Sequence, residues 1–597
     1  MNTSLREGGY APLNAYGLLG DCQATALVAA DGSVDWLAAP RIDAPPLCAA
    51  LLDPHDGGSF TMRPAEPFEC SQRYLPGTMA VETTFRCESG TVRVVDVLNR
   101  GASGTLSWTE LARRVEAESG QVKMRWEVHP GHRLGSSRPW TQWRGEVPML
   151  QSGRTRLTVV AQGVGKPSLG EEAAFAEFTA TPGEPALLAV VANDSEPVPV
   201  PTAEAIGSRM EHTVEFWRQW CKGISYDGPH HEDVVRSALV LKALTLASSK
   251  GIASAPTTSL PEWVGKSRNF DYRFGWVRDA SFSLDAMSRL GLTEEVHGSL
   301  SWLLTAVRAT APELRSMYTL DGQPASADMD TMDQFPGYRE SPPVHVGNSA
   351  ADQLQLGCYG DLMDAVWRYT EHGGLLDEQD AQTIAGLVDH ACDLWRRKDA
   401  GIWELGDMEN YTISKIGCWV ALDRAVRLAE AGQLSGWHLR RWRRERDAVR
   451  AYVDEHCWSP TKQSYTFHVG TDKLDASVLL AARTGFLAPD DPRLASTIAA
   501  VRAELCAGGP LLYRYTGMAN EEGAFLACSF WLVEALAIVG HHDEAADVLE
   551  DLLSRAGEVG LYSEEMDPRN GELLGNLPLG LSHLALIGAV TTLAEKR

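Results

Sequence analysis

Four loop stretches of the sequence carry carboxylate, aromatic or basic side chains that could do chemistry, and the pattern of the first is one that neither a strand nor an amphipathic helix requires. The first, RNFDYRFGWVRDA at 268–280, alternates aromatic residues with Arg and Asp. This mixture suits a polar ligand with apolar faces, and a pyranose sugar has that character. A buried ion pair that ties a loop to the start of a helix explains the pattern as well, and Arg278 with Asp279 could serve both purposes.

The second stretch, GIWE at 401–404, places Trp403 directly before Glu404, ahead of a helix predicted from about residue 411. A tryptophan beside a glutamate can exclude water and raise the pKa of the carboxyl, as a general acid requires. The alternative is an ordinary surface glutamate before a helix, where the helix dipole favours a negative charge.

The third and fourth stretches are loops rich in turn-forming residues. SEEMD at 563–567 contains two adjacent glutamates, Glu564 and Glu565, and a solvated acidic loop is the simplest interpretation of that segment alone. GYRESPPVHVGN at 337–348 offers polar side chains between proline and glycine, and either shapes a binding site or forms a rigid connection.

Hydrolysis of a glycosidic bond needs two carboxyl groups, one to protonate the leaving oxygen and one to activate water or attack directly. Glutamates in aromatic-flanked loops are the residues to search for. Phosphate-binding loops of the P-loop type, G-x-G-x-x-G, G-x-S-x-G, HExxH and CxxC motifs are absent from the sequence. No motif therefore supports nucleotide binding, a serine nucleophile or a zinc site.

The elements that must hold these loops divide the chain into two predicted parts. Up to about residue 200, short alternating or β-branched segments recur between turn residues, and Asp31-Gly32 is a two-residue hairpin signal. This spacing predicts an antiparallel sandwich. The proline-rich segment SEPVPVP at 195–201 predicts a boundary, because proline can neither pair in a central strand nor enter a helix interior.

From about residue 231 onward the apolar periodicity is helical, and it predicts twelve helices. Six helical hairpins suit an (α/α)6 barrel with its active site on the loops at one end, although the helix count also fits a superhelical solenoid. The predicted division is a β-sandwich domain at 1–200, a helical linker at 201–228 and a barrel at 229–597.

The composition of the chain limits the classes of binding partner and the cellular compartment that we expect. The formal net charge is -25, so nucleic acid and anionic membranes are not expected to bind, whereas a neutral sugar meets no electrostatic penalty. The 11 cysteines are odd in number and unpatterned, which is typical of reduced thiols in the cytoplasm. No signal peptide is evident at the start, and no apolar run approaches the roughly 20 residues of a membrane helix.

Six segments, in order along nearly the whole chain, resemble glycoside hydrolase family 15, which contains glucoamylases, glucodextranases and bacterial trehalases. Six ordered matches are far more specific than any one of them. They begin at residues 16, 257, 346, 401, 522 and 561 with the sequences YGLLGDCQATALVAADGSVDWLAAPRIDAPP, TTSLPEWVGKSRNFDYRFGWVRDASFSLDAM, VGNSAADQLQLGCYGDLMDA, GIWELGDMENYTISKIGCWVALDRAV, EGAFLACSFWLVEAL and LYSEEMDPRNGELLGNLPLGLSHLALI.

This resemblance implies an N-terminal antiparallel β-super-sandwich followed by an (α/α)6 barrel, and an inverting, exo-acting α-glucoside hydrolase. It implies that Glu404 is the general acid and Glu564 the general base, with Glu565 as the alternative base. An inverting pair should lie about 6.5–9.5 Å apart, with Trp403 helping to keep Glu404 protonated and a polar setting keeping Glu564 charged. The implied substrate-binding residues are Tyr272, Trp276, Arg278, Asp279, Trp403 and Arg514, with Trp36, Arg41 and Asp43 reaching in from the first domain.

One departure from the family pattern bears on the substrate. Starch-type glucoamylases carry a second glutamate directly after the acid, and this chain has Leu405 there. A short α-glucoside such as trehalose, isomaltose or a malto-oligosaccharide is therefore the expected partner. The chemistry requires no metal or cofactor, and a homo-oligomer is left open. The alternatives are a phosphorylase, a transglycosylase or a non-catalytic sugar-binding protein on the same scaffold.

Overall fold

The computed structural model describes residues 5–101, 104–135, 138–194 and 197–597, so Ser195 and Glu196 of the proline-rich segment lie outside it. The first part of the chain forms two eight-stranded antiparallel sheets. Their strands are β1 Tyr16–Gly20, β2 Thr25–Ala29, β3 Ser33–Ala38, β4 Pro46–Cys48, β5 Gly58–Pro64, β6 Phe68–Tyr74, β7 Val81–Cys87, β8 Gly90–Leu98, β9 Thr109–Gly120, β10 Val122–Pro130, β11 Trp140–Arg144, β12 Val147–Ser152, β13 Thr155–Gln162, β14 Ser168–Leu169, β15 Ala174–Ala180 and β16 Ala186–Asn193.

One sheet has the strand order β1-β2-β3-β5-β10-β15-β14, with β4 on β3, and the other has the order β11-β12-β13-β16-β9-β8-β7-β6. Strands such as β5 and β10 alternate buried and exposed side chains, so each sheet turns one face to a shared core. The central strand β16 is buried on both faces, because helix α1, Ala203–Cys221, packs Ile206 and Met210 against its outer side.

Twelve helices follow α1 in the part of the chain that the structure describes. They are α2 His231–Ala243, α3 Val277–Arg289, α4 Thr293–Arg308, α5 Gly357–Glu371, α6 Glu378–Leu394, α7 Thr412–Glu430, α8 Leu439–His456, α9 Leu480–Arg483, α10 Pro492–Leu505, α11 Leu526–Ile538, α12 His542–Ser554 and α13 Gly580–Lys596. A 3-10 turn, Ala476–Leu479, leads directly into the short α9.

The odd-numbered helices α3, α5, α7, α9, α11 and α13 follow one another around a ring, in which α7 contacts the 3-10 turn that leads into α9 and α13 returns to α3. This closed ring confirms the barrel and excludes an open solenoid. Inner helices such as α11 are buried almost all round, whereas outer helices such as α12 bury a single apolar stripe. The predicted class, antiparallel sheets followed by an (α/α)6 barrel, is confirmed, while the boundaries at 200 and 228 stay a prediction.

The loops at one end of the barrel are joined by short antiparallel bridges. Asp399 pairs with Glu409, Tyr411 with His468, and Asp475 with Tyr515. The sandwich supports the same loops, since the Trp36 indole donates to the carbonyl of Pro256 at 3.0 Å. The Asp399–Glu409 bridge encloses the stretch at 401–404, and a further bridge joins Thr258 to Asp271 of the stretch at 268–280. Among the described residues, no helix is long and apolar enough to cross a membrane.

Candidate active site

One cavity of about 180 Å³ lies among these loops and gathers most of the predicted site residues. Of the twelve side chains named from the sequence, which include the alternative base Glu565 and Asp43, eight line it: Tyr272, Trp276, Arg278, Asp279, Trp403, Glu404, Arg514 and Glu564. These residues come from four loops that are far apart in the sequence. Glu565, the alternative base, is not among the lining residues.

Trp36 and Arg41 lie elsewhere. Trp36 is fully buried between the sandwich and the barrel loops, and Arg41 forms ion pairs with Asp43 and Asp321. Both connect the first domain to the barrel, but neither lines the cavity that holds the two glutamates. Their structural position suits support of the loops rather than contact with a ligand in this cavity.

Glu404 stands at the end of a tight turn with its backbone in the left-handed region, at φ 59°. A non-glycine residue rarely adopts this conformation, and such outliers cluster at functional sites. Its carboxylate accepts a hydrogen bond from the Trp276 indole at 2.6 Å and lies 4.0 Å from the Arg278 guanidinium. Burial raises the pKa of Glu404 above its usual value, while Arg278 and Trp276 oppose this rise.

Trp403 contributes differently from the sequence expectation. Its indole N–H donates to Asp475 at 2.9 Å, and its ring packs edge-on against Phe525 at 5.2 Å. The indole that contacts the Glu404 carboxylate belongs to Trp276 instead. Trp403 is 7% exposed, so it excludes water from this side of the cavity and its orientation is held by a buried carboxylate.

Glu564 is positioned by a small three-stranded sheet formed by Ala524–Phe525, Glu565–Met566 and Leu573–Leu574. Successive side chains on an extended segment point to opposite sides. Glu564 therefore faces the cavity, and Glu565 points behind it, where it accepts the N–H of Gly523 at 2.7 Å. Gly575 has a φ of 71°, and a Cβ there would lie 2.5 Å from that of Glu564.

The Glu564 carboxylate is 2% exposed and accepts a hydrogen bond from the Tyr272 hydroxyl at 2.8 Å. Burial raises the pKa of Glu564, and the nearby Glu262 raises it further, whereas Arg514 and the Tyr272 hydrogen bond lower it. This differs from the expected polar setting that keeps Glu564 charged. The sequence could not show that the loop containing Glu564 is buried rather than exposed to solvent.

Two aromatic rings connect the pair of glutamates. Tyr272, which bonds Glu564, and Trp276, which bonds Glu404, pack edge to face with centroids 5.4 Å apart. Both come from the 268–280 segment, so a single loop orients both carboxyl groups. Two carboxyls with separate partners on one cavity, Glu564 buried and Glu404 partly exposed, can supply a proton donor and a proton acceptor to the same bound molecule.

Arg278 and Asp279 lie in the first turn of α3 and form an ion pair at 2.7 Å. Arg278 also donates to the carbonyl of Ile402 at 2.9 Å, and Ser254 donates to Asp279. The pair thus ties a loop to a helix start, and it also lines the cavity. Both interpretations of this dipeptide fit the structure.

Several lining residues were not named as site residues from the sequence, namely Ser254, Glu262, Arg268, Asn348 and Gln353, although Arg268 and Asn348 belong to the stretches at 268–280 and 337–348. Glu262 is 1% exposed and contacts the guanidinium groups of Arg268 at 2.6 Å and Arg514 at 2.8 Å. It stands between Pro261 and Trp263 in a stretch without helical or strand periodicity. A buried arginine at position 514 implies a carboxylate partner, but only the tertiary structure shows which one.

An (α/α)6 barrel with two glutamates facing one cavity is the arrangement expected of an O-glycosyl hydrolase. Residues 228–591 match the family model described as Glycosyl hydrolases family 15, and residues 5–138 match that of the trehalase-like N-terminal domain. The chain belongs to glycoside hydrolase family 15, which confirms the resemblance found in the sequence.

Similar proteins agree with this assignment. The protein named Trehalase from Mycolicibacterium smegmatis is 35% identical over 97% of this chain and 91% of its own length. The Trehalase of Thermoplasma volcanium is 28% identical over 98% of this chain and 94% of its own length. The structure of a bacterial glucoamylase complexed with acarbose superimposes with a TM-score of 0.75 and 12% identity, covering 100% of this chain and 96% of that one. At that identity the last comparison shows the fold alone.

Proposed function

We propose that this chain is an inverting exo-hydrolase that cleaves trehalose or a comparably short α-glucoside. The observation that carries the proposal is the placement of Glu404 and Glu564 on one enclosed cavity, each held by its own aromatic donor. The shared family establishes glycoside hydrolysis as the reaction class, and the roles of individual residues belong to the proposal.

In the proposed reaction, protonated Glu404 donates its proton to the glycosidic oxygen as the bond to the anomeric carbon breaks. Ionised Glu564 takes a proton from a water molecule, whose oxygen attacks the anomeric carbon from the opposite face. The two carboxyls then exchange protons with solvent to restore the starting state. Arg278 and Asp279 would bind the distal hydroxyls of the glucose unit, and Tyr272 would lie near its anomeric carbon.

Two observations favour a short substrate and trehalose in particular. Leu405 lines the cavity beside Glu404 and offers no hydrogen bond to a second sugar of a starch chain. Relatives named Trehalase align with this chain over nearly its full length. The other members of the expected class, isomaltose and malto-oligosaccharides, are the comparison substrates.

The substrate and the stereochemistry can be tested in one experiment. Purified protein is offered trehalose, isomaltose, kojibiose, nigerose, maltose and soluble starch, and the anomers of released glucose are followed by proton NMR before mutarotation. We expect the highest kcat/KM with trehalose. Because only one of its two anomeric carbons is attacked, inversion releases equal initial amounts of α- and β-glucose.

The same experiment separates the remaining alternatives. Initial release of α-glucose alone from trehalose would contradict inversion. Glucose 1-phosphate formed only when phosphate is added would instead indicate a phosphorylase, and glucosyl transfer to added acceptors would indicate a transglycosylase. A protein that binds the sugars without turning over any of them would be a non-catalytic member of the scaffold.

Removing the Tyr272 hydroxyl should alter the pH dependence of the reaction. In Tyr272→Phe the carboxylate of Glu564 loses a donor that stabilises its ionised form, so the pKa of Glu564 rises. A hydrogen bond to a charged group contributes about 1.5–3 kcal/mol, which corresponds to a shift of about 1–2 pH units. The acidic limb of the kcat/KM profile should therefore move to higher pH.

The matched control is Tyr513→Phe, which removes a hydroxyl at the same end of the barrel from a side chain outside the cavity. Its profile should overlay that of the wild-type enzyme. If Tyr272→Phe stays folded and the acidic limb of its kcat/KM profile does not shift, then the Tyr272 hydroxyl does not stabilise the ionised base.

A further inference from the structure

Behind Glu564 lies a buried group of carboxylates that the proposed reaction does not use directly. Oxygen atoms of Glu262, Glu522 and Glu565 lie within 4.8 Å of one another, and all three residues are at most 1% exposed. The cations that contact this group are Arg514 and Arg268. Glu564 directly precedes Glu565 in the sequence, and it lies close enough to Glu262 for that carboxylate to raise its pKa.

The charges of this cluster do not balance if every carboxyl is ionised. Glu262, Glu522, Glu564 and Glu565 would carry four negative charges, whereas the two arginines supply two positive charges. An uncompensated charge in a water-poor interior is costly, and a carboxyl that cannot be paired takes up a proton instead. At least one of the four is therefore expected to be neutral.

The hydrogen bonds indicate which group holds the proton. Both oxygens of Glu522 accept bonds from Arg514, and Glu262 accepts from Arg268 and Arg514 through its Oε2 atom. Glu565 accepts only the backbone N–H of Gly523, through Oε2. The Oε1 atoms of Glu262 and Glu565 are both buried without a hydrogen-bond partner.

Two unpartnered acceptor oxygens in one buried cluster can satisfy each other if one of them carries a proton, because a protonated carboxyl is a donor as well as an acceptor. Glu565 is a better candidate than Glu262 for the protonated carboxyl. Its nearest cation, the Arg514 Nη2 atom, is 3.7 Å away, whereas both guanidinium groups contact Glu262 directly.

We propose that Glu565 is a neutral carboxylic acid in the folded enzyme, that its Oε1–H points toward Glu262, and that this neutrality leaves its neighbour Glu564 free to ionise. The part that concerns Glu564 rests on the proposed function. Glu565 touches no substrate and acts as a positioning residue. Burial raises the pKa of Glu565, and the groups that face it are Glu522, Glu262, Arg514 and Glu564.

The first test is the pH dependence of stability in Glu565→Gln, an uncharged near-isostere of the protonated form. A carboxyl whose folded pKa is raised stabilises the protein fully below its unfolded pKa of about 4.3 and loses that contribution as pH rises toward the folded value. Glutamine carries no such loss. We therefore expect the Tm of Glu565→Gln relative to the wild-type enzyme to increase steadily from pH 5 to pH 8.

The opposite sign would overturn the proposal. If Glu565 were ionised and paired with Arg514, its removal would lower Tm, and this deficit would stay nearly constant from pH 5 to pH 8 because both values lie above the unfolded pKa of about 4.3. The matched control is Glu522→Gln, which neutralises a carboxylate that accepts from Arg514 through both oxygens. That variant is expected to show this deficit and to lose kcat/KM, because Arg514 loses its anchor.

Infrared spectroscopy gives a second measurement that needs no substrate. A protonated carboxyl has a carbonyl stretch distinct from that of a carboxylate, and the wild-type enzyme should retain this band at pH 7 whereas Glu565→Gln loses it. Absence of any band difference would overturn the proposal. So would a fall in wild-type Tm with EDTA that Glu565→Gln does not show, since a divalent cation would then join the two oxygens.

Enzyme activity is the third measurement on Glu565→Gln, after stability and infrared spectroscopy. If Glu564 is the base, Glu565→Gln should keep kcat/KM within an order of magnitude of the wild-type value, with its acidic limb no higher in pH. Loss of activity in Glu565→Gln together with a Tm below that of the wild-type enzyme would reject the proposal that Glu565 is a neutral acid. The wild-type enzyme could instead hydrolyse none of the sugars, while Glu565→Gln shows the expected rise in relative Tm with pH and the expected loss of the infrared band. That outcome would reject the proposed function and leave the assignment of the proton to Glu565 intact.

Discussion

Replacing Glu404 by Gln is expected to lower kcat on the best substrate of the panel by about 10²–10⁴-fold, the usual contribution of a general acid. The amide oxygen can still accept the Trp276 indole N–H that bonds Glu404 in the native protein, so the cavity should keep its shape. What the variant loses is the proton for the leaving oxygen. The measurement is steady-state kinetics with circular dichroism and Tm as checks on folding.

A substrate with a good leaving group isolates this role. α-Glucosyl fluoride needs little protonation to depart, so Glu404→Gln should retain much more of its activity on the fluoride than on a disaccharide. The control is Glu409→Gln, which changes a glutamate on the same loop that pairs with Lys398 away from the cavity, and which should leave kcat unchanged. Equal losses on both substrates would argue that Glu404 does something other than donate a proton.

Replacing Glu564 by Gln is expected to cause a loss of the same order, about 10²–10⁴-fold in kcat. Glutamine can keep the hydrogen bond from Tyr272 but cannot remove a proton from water. In contrast to the acid variant, Glu564→Gln should be equally impaired on α-glucosyl fluoride, because leaving-group departure is not the step that fails.

Added azide provides the complementary test. An anionic nucleophile needs no base, so azide should restore turnover in Glu564→Gln and yield β-glucosyl azide from an α-linked donor. Glu572→Gln is the matched control, since that glutamate lies in the same loop and pairs with Arg339. Near-normal turnover in Glu564→Gln without azide would remove this residue from the role of base.

Much of the architecture was predictable from the sequence because it depends on neighbours along the chain. The period of two predicted the strands of the sandwich, and the period of 3.6 predicted the twelve helices. The segment at 268–280 stood out because aromatic and charged residues alternate there without serving either period, and the segment at 401–404 stood out because a tryptophan directly precedes a glutamate. Nothing local, however, distinguished Glu404 or Glu564 from a solvated glutamate, and only the ordered set of family-like segments did so.

The tertiary structure decided the hydrogen-bond partners of these groups. Tyr272 and Glu564 are 292 residues apart, and Trp276 and Glu404 are 128 residues apart, so no local pattern could pair them. Strand alternation directs Glu564 into the cavity and Glu565 behind it, a choice that two adjacent glutamates in a loop do not reveal.

The sequence by itself determined the two-part fold, the family and the segments that meet at one end of the barrel. Only the tertiary structure decided that Trp276 rather than Trp403 bonds Glu404, and that Glu262 lies between two arginines behind Glu564. The physical reason is that periodicity is a property of the chain, whereas burial, charge balance and hydrogen bonding at a site depend on groups brought together from distant positions.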